Sequence, residues 1–173
     1  MWFTLGTRGS GKSSFLETLG TLYLQEGQKV LDLFGSKDGE GLAWLRSPFA
    51  EEKKILVLHG EDVDVEAPCD VKKTSAVNLS DFEKYDIVIS SAPCYASPDE
   101  EFLNAGELTN KLYKRLSWTT LIFCVVREAA NFYYSRLKIS EDQTLAKAQM
   151  TYLLRESRHS GLSMGLDSLR FYA

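Results

Sequence analysis

The sequence predicts an α/β fold, a three-layer sandwich on a largely parallel central sheet, and three observations predict it. Apolar runs of strand length alternate with longer stretches of helical periodicity, as repeated strand–helix crossovers require. One run, 119–126, holds eight uncharged, mostly β-favouring residues in succession, the pattern of a strand covered on both faces. The first apolar run ends in a glycine-rich turn that opens a helix, a joint suited to holding anions.

Taken in order, Trp2–Leu5 reads as a short buried strand turned at Gly6. Lys12–Gln25 reads as a helix because Phe15, Leu16, Leu19, Leu22 and Tyr23 recur at three- and four-residue spacing and Gly27 stops the run. Lys29–Phe34 is a second strand, closed by the turn cluster 35–39, with Leu42, Trp44 and Leu45 on a short helix beyond it. Residues 55–58 form a third strand, and the alternation of acids with valines over 61–66 predicts a half-exposed one next. A strand over 85–90 stops before Pro93, and Pro98 stands in the first turn of a helix expected over 98–118. After the strand at 119–126, residues 128–137 and 142–157 read as helices, the second turning Leu145, Ala148, Leu153 and Leu154 inward. Gly161 then precedes a last short strand over 162–166. No repeat, low-complexity tract or linker divides the 173 residues, so a single domain, 1–173, is expected, with the abrupt ends of a core excised from a longer protein.

Composition narrows the function. Hydrophobic residues make up 44% and charged residues 25%, and no apolar run approaches the ~18 residues of a membrane span. The formal net charge of -4 lacks the basic balance of a nucleic-acid binder, so such a partner would need a local patch drawn from Lys72, Lys73, Lys111, Lys114 and Arg115. Cys69, Cys94 and Cys124 are far apart, and His59 and His159 lack ligand spacing, which argues against disulfides and against a zinc hydrolase. The first apolar run is too short for a secretory leader, so the cytoplasm is the expected compartment.

The chemistry concentrates in Gly6, Thr7, Arg8, Gly9, Ser10, Gly11, Lys12 and Ser13, a complete G-x-x-x-x-G-K-[ST] phosphate loop between a strand and an amphipathic helix. Its glycines let backbone N–H groups converge on phosphate oxygens, and the helix adds the positive end of its dipole. Lys12 is expected at the β- and γ-phosphates of ATP, the Ser13 hydroxyl at Mg²⁺, and Ser14 at the α-phosphate. For Arg8 a solvated position and a role at the triphosphate both stay open.

An ATPase also needs a carboxylate at the end of a nearby strand. The 119–126 run ends in Arg127 and Glu128, so Glu128 stands in the place of a water-orienting base while Arg127 stands where an aspartate is usual. Asp32 is the fallback acid for Mg²⁺, Ser90 and Ser91 sit at a suitable strand end, and Asp86 starts its strand, at the wrong end of the sheet.

These pieces, together with the stretch Leu154, Arg155, Glu156, Ser157, Arg158, His159, Ser160 and Gly161 ahead of the last strand, resemble the HerA/FtsK superfamily of RecA-like P-loop ATPases, ring-forming DNA-pumping motors. The resemblance implies a homo-oligomeric ring that hydrolyses ATP with Mg²⁺ and moves or packages DNA. It matches residues 6–14 to the Walker A loop, Glu128 to the second Walker B acid, and Arg155 or Arg158 to an arginine reaching a neighbouring subunit's nucleotide. Two departures stand out: Arg127 replaces the first acid, and Asp167 or Ser168 takes the place of a polar sensor. A P-loop kinase, with Arg127, Arg155 or Arg158 clamping phosphate, and a nucleotide-binding switch with little turnover are the alternatives. A guanine-reading [NT]-K-x-D motif is absent from the later half.

Overall fold

A computed structural model of the chain describes residues 1–35, 39–114, 121–133, 138, 142–157 and 161–169. Seven strands lie in one sheet: β1 (Trp2–Leu5), β2 (Lys29–Phe34), β3 (Ile55–His59), β4 (Asp70–Lys73), β5 (Ile87–Ser90), β6 (Ile122–Val126) and β7 (Leu162–Ser168). Their order is β1-β7-β6-β2-β5-β3-β4, and every pairing is parallel. Helices α1 (Lys12–Gln25), α2 (Leu79–Lys84), α3 (Pro98–Tyr113) and α4 (Gln143–Glu156) flank it. The chain forms the α/β sandwich on a parallel central sheet that the sequence leads one to expect.

Strand alternation builds the layers. On β6, Phe123 and Val125 join Val30, Leu16 and Leu24 in a core beneath α1. Ile122, Cys124 and Val126 point the other way, into a core with Leu31 of β2, Leu108 of α3 and Met150 of α4. A strand with apolar residues at every position is what a sheet covered on both faces needs.

Several elements differ from the sequence reading. The first strand is not buried: β1 is an edge strand, and Trp2, Phe3 and Leu5 are 48%, 52% and 43% exposed. Helix α1 has the expected bounds but packs through Leu16, Gly20 and Leu24, while Phe15 and Leu22 face outward. Its apolar arc is wider than the strip the sheet takes up. Residues 61–66 form no strand, and the strand beside β3 is β4, whose sequence Asp-Val-Lys-Lys carries no apolar alternation because it lies at the other edge. Helix α2, closed at its start by the Asn78–Asp81 capping box, was not expected.

Helix α3 starts as read, with the Ser97 hydroxyl accepting the Glu100 N–H at 3.2 Å, and is described to Tyr113. The remainder of that expected helix, and Thr119 and Thr120 of the expected strand, include residues 115–120, which lie outside the described set. Where a helix over 128–137 was expected there is a single 3₁₀ turn, Ala129–Asn131, with 134–137 outside the described residues. Helix α4 turns Gln143, Ala146, Met150 and Leu153 inward, and Leu145 is exposed. Among the described residues no helix is long and apolar enough to cross a membrane.

Candidate phosphate-binding site

Because all strands are parallel, everything that follows a strand emerges at one end of the sheet. The registers Leu5↔Ser168, Val126↔Leu166 and Phe34↔Val126 bring the C-terminal ends of β1, β7, β6 and β2 side by side. The 6–13 loop, Asp167, Arg127 with Glu128, and Glu40 at the start of the 3₁₀ segment beyond β2 therefore meet at one site, where ligands of open parallel sheets bind.

In the loop, Gly9 and Gly11 adopt φ of 78° and 85°, a left-handed backbone that a side chain would disfavour. Gly11 is the N-cap of α1, makes no side-chain cap, and no acid stands in the helix's first turn, so its N-terminal N–H groups and dipole are left for an anion. The Ser10 N–H donates to the Thr7 carbonyl at 3.2 Å. Lys12 Nζ folds back over the loop and donates to the same Thr7 carbonyl at 3.0 Å. Ser14 and Arg8 are exposed at the loop's surface, and the Ser14 carbonyl accepts from the Thr18 hydroxyl at 2.8 Å.

The Ser13 hydroxyl donates to Glu40 Oε1 at 3.3 Å. Glu40 opens the 3₁₀ segment Glu40–Arg46 that follows β2 and was not singled out in the sequence. The fit to a magnesium ion is good in kind: a hydroxyl and a carboxylate are hard oxygen donors, and Mg²⁺ characteristically takes one or two protein oxygens together with nucleotide phosphates.

Arg127 does not occupy an acid's place in the site. Its side chain is wholly buried on the α1 side of the sheet, where Nη2 meets Asp32 Oδ2 at 2.7 Å and Nε lies 3.1 Å from both carboxylate oxygens. Nη2 also reaches Glu17 of α1 at 3.3 Å, and Nη1 reaches Glu40 at 3.4 Å. Burial opposes the charge, but Asp32, then Glu17 and Glu40, hold the guanidinium pKa above its ordinary value. Asp32 is itself fully buried and also accepts the Trp44 indole N–H at 3.0 Å. The fallback acid is thus the arginine's partner, and the arginine is engaged by three carboxylates rather than presented to a phosphate.

Glu128 is the one non-glycine residue with positive φ among the described residues, at φ 46°, ψ 52°. A strained backbone of this kind persists only where its surroundings enforce it. Here the Glu128 N–H is held by Asp167 Oδ1 at 2.7 Å, and Glu128 Oε2 accepts the Leu169 N–H at 3.4 Å. Gly35 makes room: it sits at φ 78°, and a Cβ there would lie 1.8 Å from the Arg127 carbonyl oxygen. Burial raises the pKa of Glu128, and Asp167 and Glu40 push the same way against the Leu169 N–H and Lys12. Asp167 is raised too, first by burial, with the Glu128 N–H, Arg127 and Lys12 opposing. The loop lysine thus lies within the electrostatic reach of both acids.

The other candidates fall elsewhere. Asp86 is at the opposite end of the sheet, accepting the Lys54 N–H at 3.0 Å and lying 3.6 Å from Lys29 Nζ. Ser90 shares a 2.6 Å hydrogen bond with the Tyr95 hydroxyl, and Ser91 is buried beside it. Arg155 is exposed in the last turn of α4, which feeds the N-terminal end of β7, away from the loop. Arg158 and Arg115 lie outside the described residues. Sequence reasoning missed Glu40 and Glu17. The only local signal for Glu40 was an acid just beyond a glycine turn at a strand's C-terminal end.

No protein-family model matches the chain, and no curated protein matches it. Among solved structures it is similar to one described as "BceF Tyrosine Kinase Domain", at 15% identity over 97% of this chain and 68% of that one, with a TM-score of 0.26. A likeness of that depth carries no weight for fold or function.

Proposed function

We propose that residues 1–173 form an ATPase domain that binds Mg²⁺–ATP on the 6–14 loop and hydrolyses it, with Glu128 orienting and deprotonating the attacking water. The observation that carries this reading is the placement of Glu128: a carboxylate with raised pKa, held in a strained backbone by Asp167, within the field of the loop lysine. A base with a raised pKa accepts a proton more readily in the transition state. In hydrolysis the water oxygen bonds to the γ-phosphorus, its proton passes to Glu128, and the bond from the γ-phosphorus to the bridging oxygen breaks to release ADP. Lys12 binds the β- and γ-phosphates, the N-terminal N–H groups of α1 cradle them, Ser14 meets the α-phosphate, and Arg8 stands at the loop's outer face. Magnesium, when bound beside Ser13, supplies neutralisation of the charge on the phosphate oxygens.

The motor reading is the finer part of the proposal. It rests on the resemblance to ring-forming HerA/FtsK ATPases, with Arg155, exposed in the last turn of α4, as the arginine offered to a neighbouring subunit's nucleotide. An arginine supplied in this way is worth ~10³-fold or more in rate. The test is phosphate release from ATP by the purified chain. The expected result is magnesium-dependent turnover that Lys12→Ala abolishes, that rises with protein concentration and DNA, and that loses this rise in Arg155→Ala. No turnover at any concentration would leave nucleotide binding alone, and turnover indifferent to concentration, DNA and Arg155→Ala would remove the ring and the motor.

A further inference from the structure

If Arg127 has displaced the usual strand-end acid, the carboxylate that meets the metal must come from elsewhere. We infer that Glu40, at the start of the 3₁₀ segment Glu40–Arg46, is the carboxylate that joins Ser13 in holding magnesium, and that Arg127 is the residue that positions it. The inference rests on the ATP-binding reading of the loop and assigns the missing member of that site.

Four other acids lie near the loop, and each is committed differently. Asp32 is fully buried, with its oxygens taken by Arg127 and the Trp44 indole. Glu17 gives Oε1 to Arg127 Nη2. Asp167 Oδ1 takes the Glu128 N–H, and Glu128 Oε2 takes the Leu169 N–H. Glu40 divides its carboxylate: Oε2 faces Arg127 Nη1 at 3.4 Å while Oε1 meets the Ser13 hydroxyl at 3.3 Å. A hydroxyl and a carboxylate oxygen this close can approach one cation together, directly or through its water, at the short distances Mg²⁺ demands. The Glu40 side chain is 43% exposed, so the cation can keep most of its water there.

The arginine explains how a half-exposed side chain at the start of a 3₁₀ segment holds its place. Its guanidinium is fixed by the buried pair with Asp32, and its remaining Nη1 is directed at one oxygen of Glu40, leaving the other toward Ser13. A fixed fork of donors is what arginine offers and lysine does not.

Affinity for a fluorescent ATP analogue, titrated with Mg²⁺ and repeated in EDTA, tests this without reference to turnover. In Glu40→Gln the affinity in EDTA should stay within about twofold of the unsubstituted chain, while the Mg²⁺ concentration at half-effect rises about tenfold or more. Glu40→Asp should recover part of that rise. Glu17→Gln, which removes another carboxylate from Arg127 but none from Ser13, should leave it unchanged, and Arg127→Lys should raise it by less than Glu40→Gln does. Mn²⁺ bound with the analogue should lose a protein-derived carboxylate signature in its electron resonance spectrum in Glu40→Gln. An unchanged Mg²⁺ dependence in Glu40→Gln, or an equal rise in Glu17→Gln, overturns the assignment. An unchanged value in Arg127→Lys overturns the positioning role. Failure of the unsubstituted chain to bind the analogue in either buffer would instead overturn the ATP-binding reading.

Discussion

Residues 6–14 build their half of the site from one continuous stretch, whereas the half that faces them draws Arg127 and Glu128 from the end of β6, Asp167 from β7, Asp32 from β2 and Glu40 from the 3₁₀ segment beyond it. The loop depends on backbone: left-handed glycines and an uncapped helix start. The acid side depends on side chains, and most of its order runs through Arg127, which contacts Asp32, Glu17 and Glu40. One half is therefore robust to changes elsewhere in the chain, and the other is only as ordered as one buried ion pair.

The sharpest way to break that contrast is Arg127→Leu. It leaves Asp32 charged and buried without its partner, which costs about 3–5 kcal/mol. For a domain of this size each kcal/mol lowers Tm by roughly 2–4 °C, so thermal unfolding should show a fall of about 10 °C. The pair Arg127→Met with Asp32→Leu removes both charges and should recover most of it, because a buried ion pair contributes little over well-packed apolar groups.

Gly11→Ala tests the other half. At φ 85° the added Cβ costs about 1–2 kcal/mol, and the fall in Tm should be smaller than for Arg127→Leu while ATP affinity, read by titration calorimetry, falls more than tenfold. Arg127→Leu, measured below its own Tm, should retain more of that affinity in EDTA than Gly11→Ala does. The reverse ranking would mean that the two halves are not separately built.

The smallest expected effect is a pH dependence of stability. Burial, with Asp167 and Glu40, raises the folded-state pKa of Glu128. The folded chain therefore holds that proton more tightly than the unfolded chain. The stability this gives is full below the ordinary carboxylate value of about 4.3 and is lost as pH rises through the raised one. At neutral pH the ionised Glu128 costs stability, so Glu128→Gln should melt above the unsubstituted chain at pH 7, with the gap closing as pH falls toward 4. An equal gap at both values would place the effect in packing rather than ionisation.

How much of this was legible follows the same division. The strand, loop and helix of 2–25 could be read to the residue because each signal is local: an apolar run, glycines, and a helical period. Burial could not, since only the sheet order makes β1 an edge. Glu128 stands out in the sequence as the second residue after an apolar strand, but its left-handed backbone depends on Asp167 from a strand 39 residues later. Arg127 looked like a departure because its partner, Asp32, is 95 residues away and becomes a neighbour only when β2 pairs with β6. Glu40 carried almost no signal, because its distance from Ser13 is set by how α1 and the 3₁₀ segment Glu40–Arg46 come together at the sheet end. Residues 61–66 misled for the opposite reason: their alternation is strand-like, but it is the polar β4 that takes the place beside β3.

The central claim is that the loop and Glu128 form one hydrolytic site, and single-turnover release of γ-phosphate from Mg²⁺–ATP by Glu128→Gln tests it most directly. The account predicts that the variant binds ATP as the unsubstituted chain does and retains it uncleaved, with chemistry slowed ~10²–10⁴-fold. Phosphate release at the unsubstituted rate, with ATP bound equally well, would contradict it.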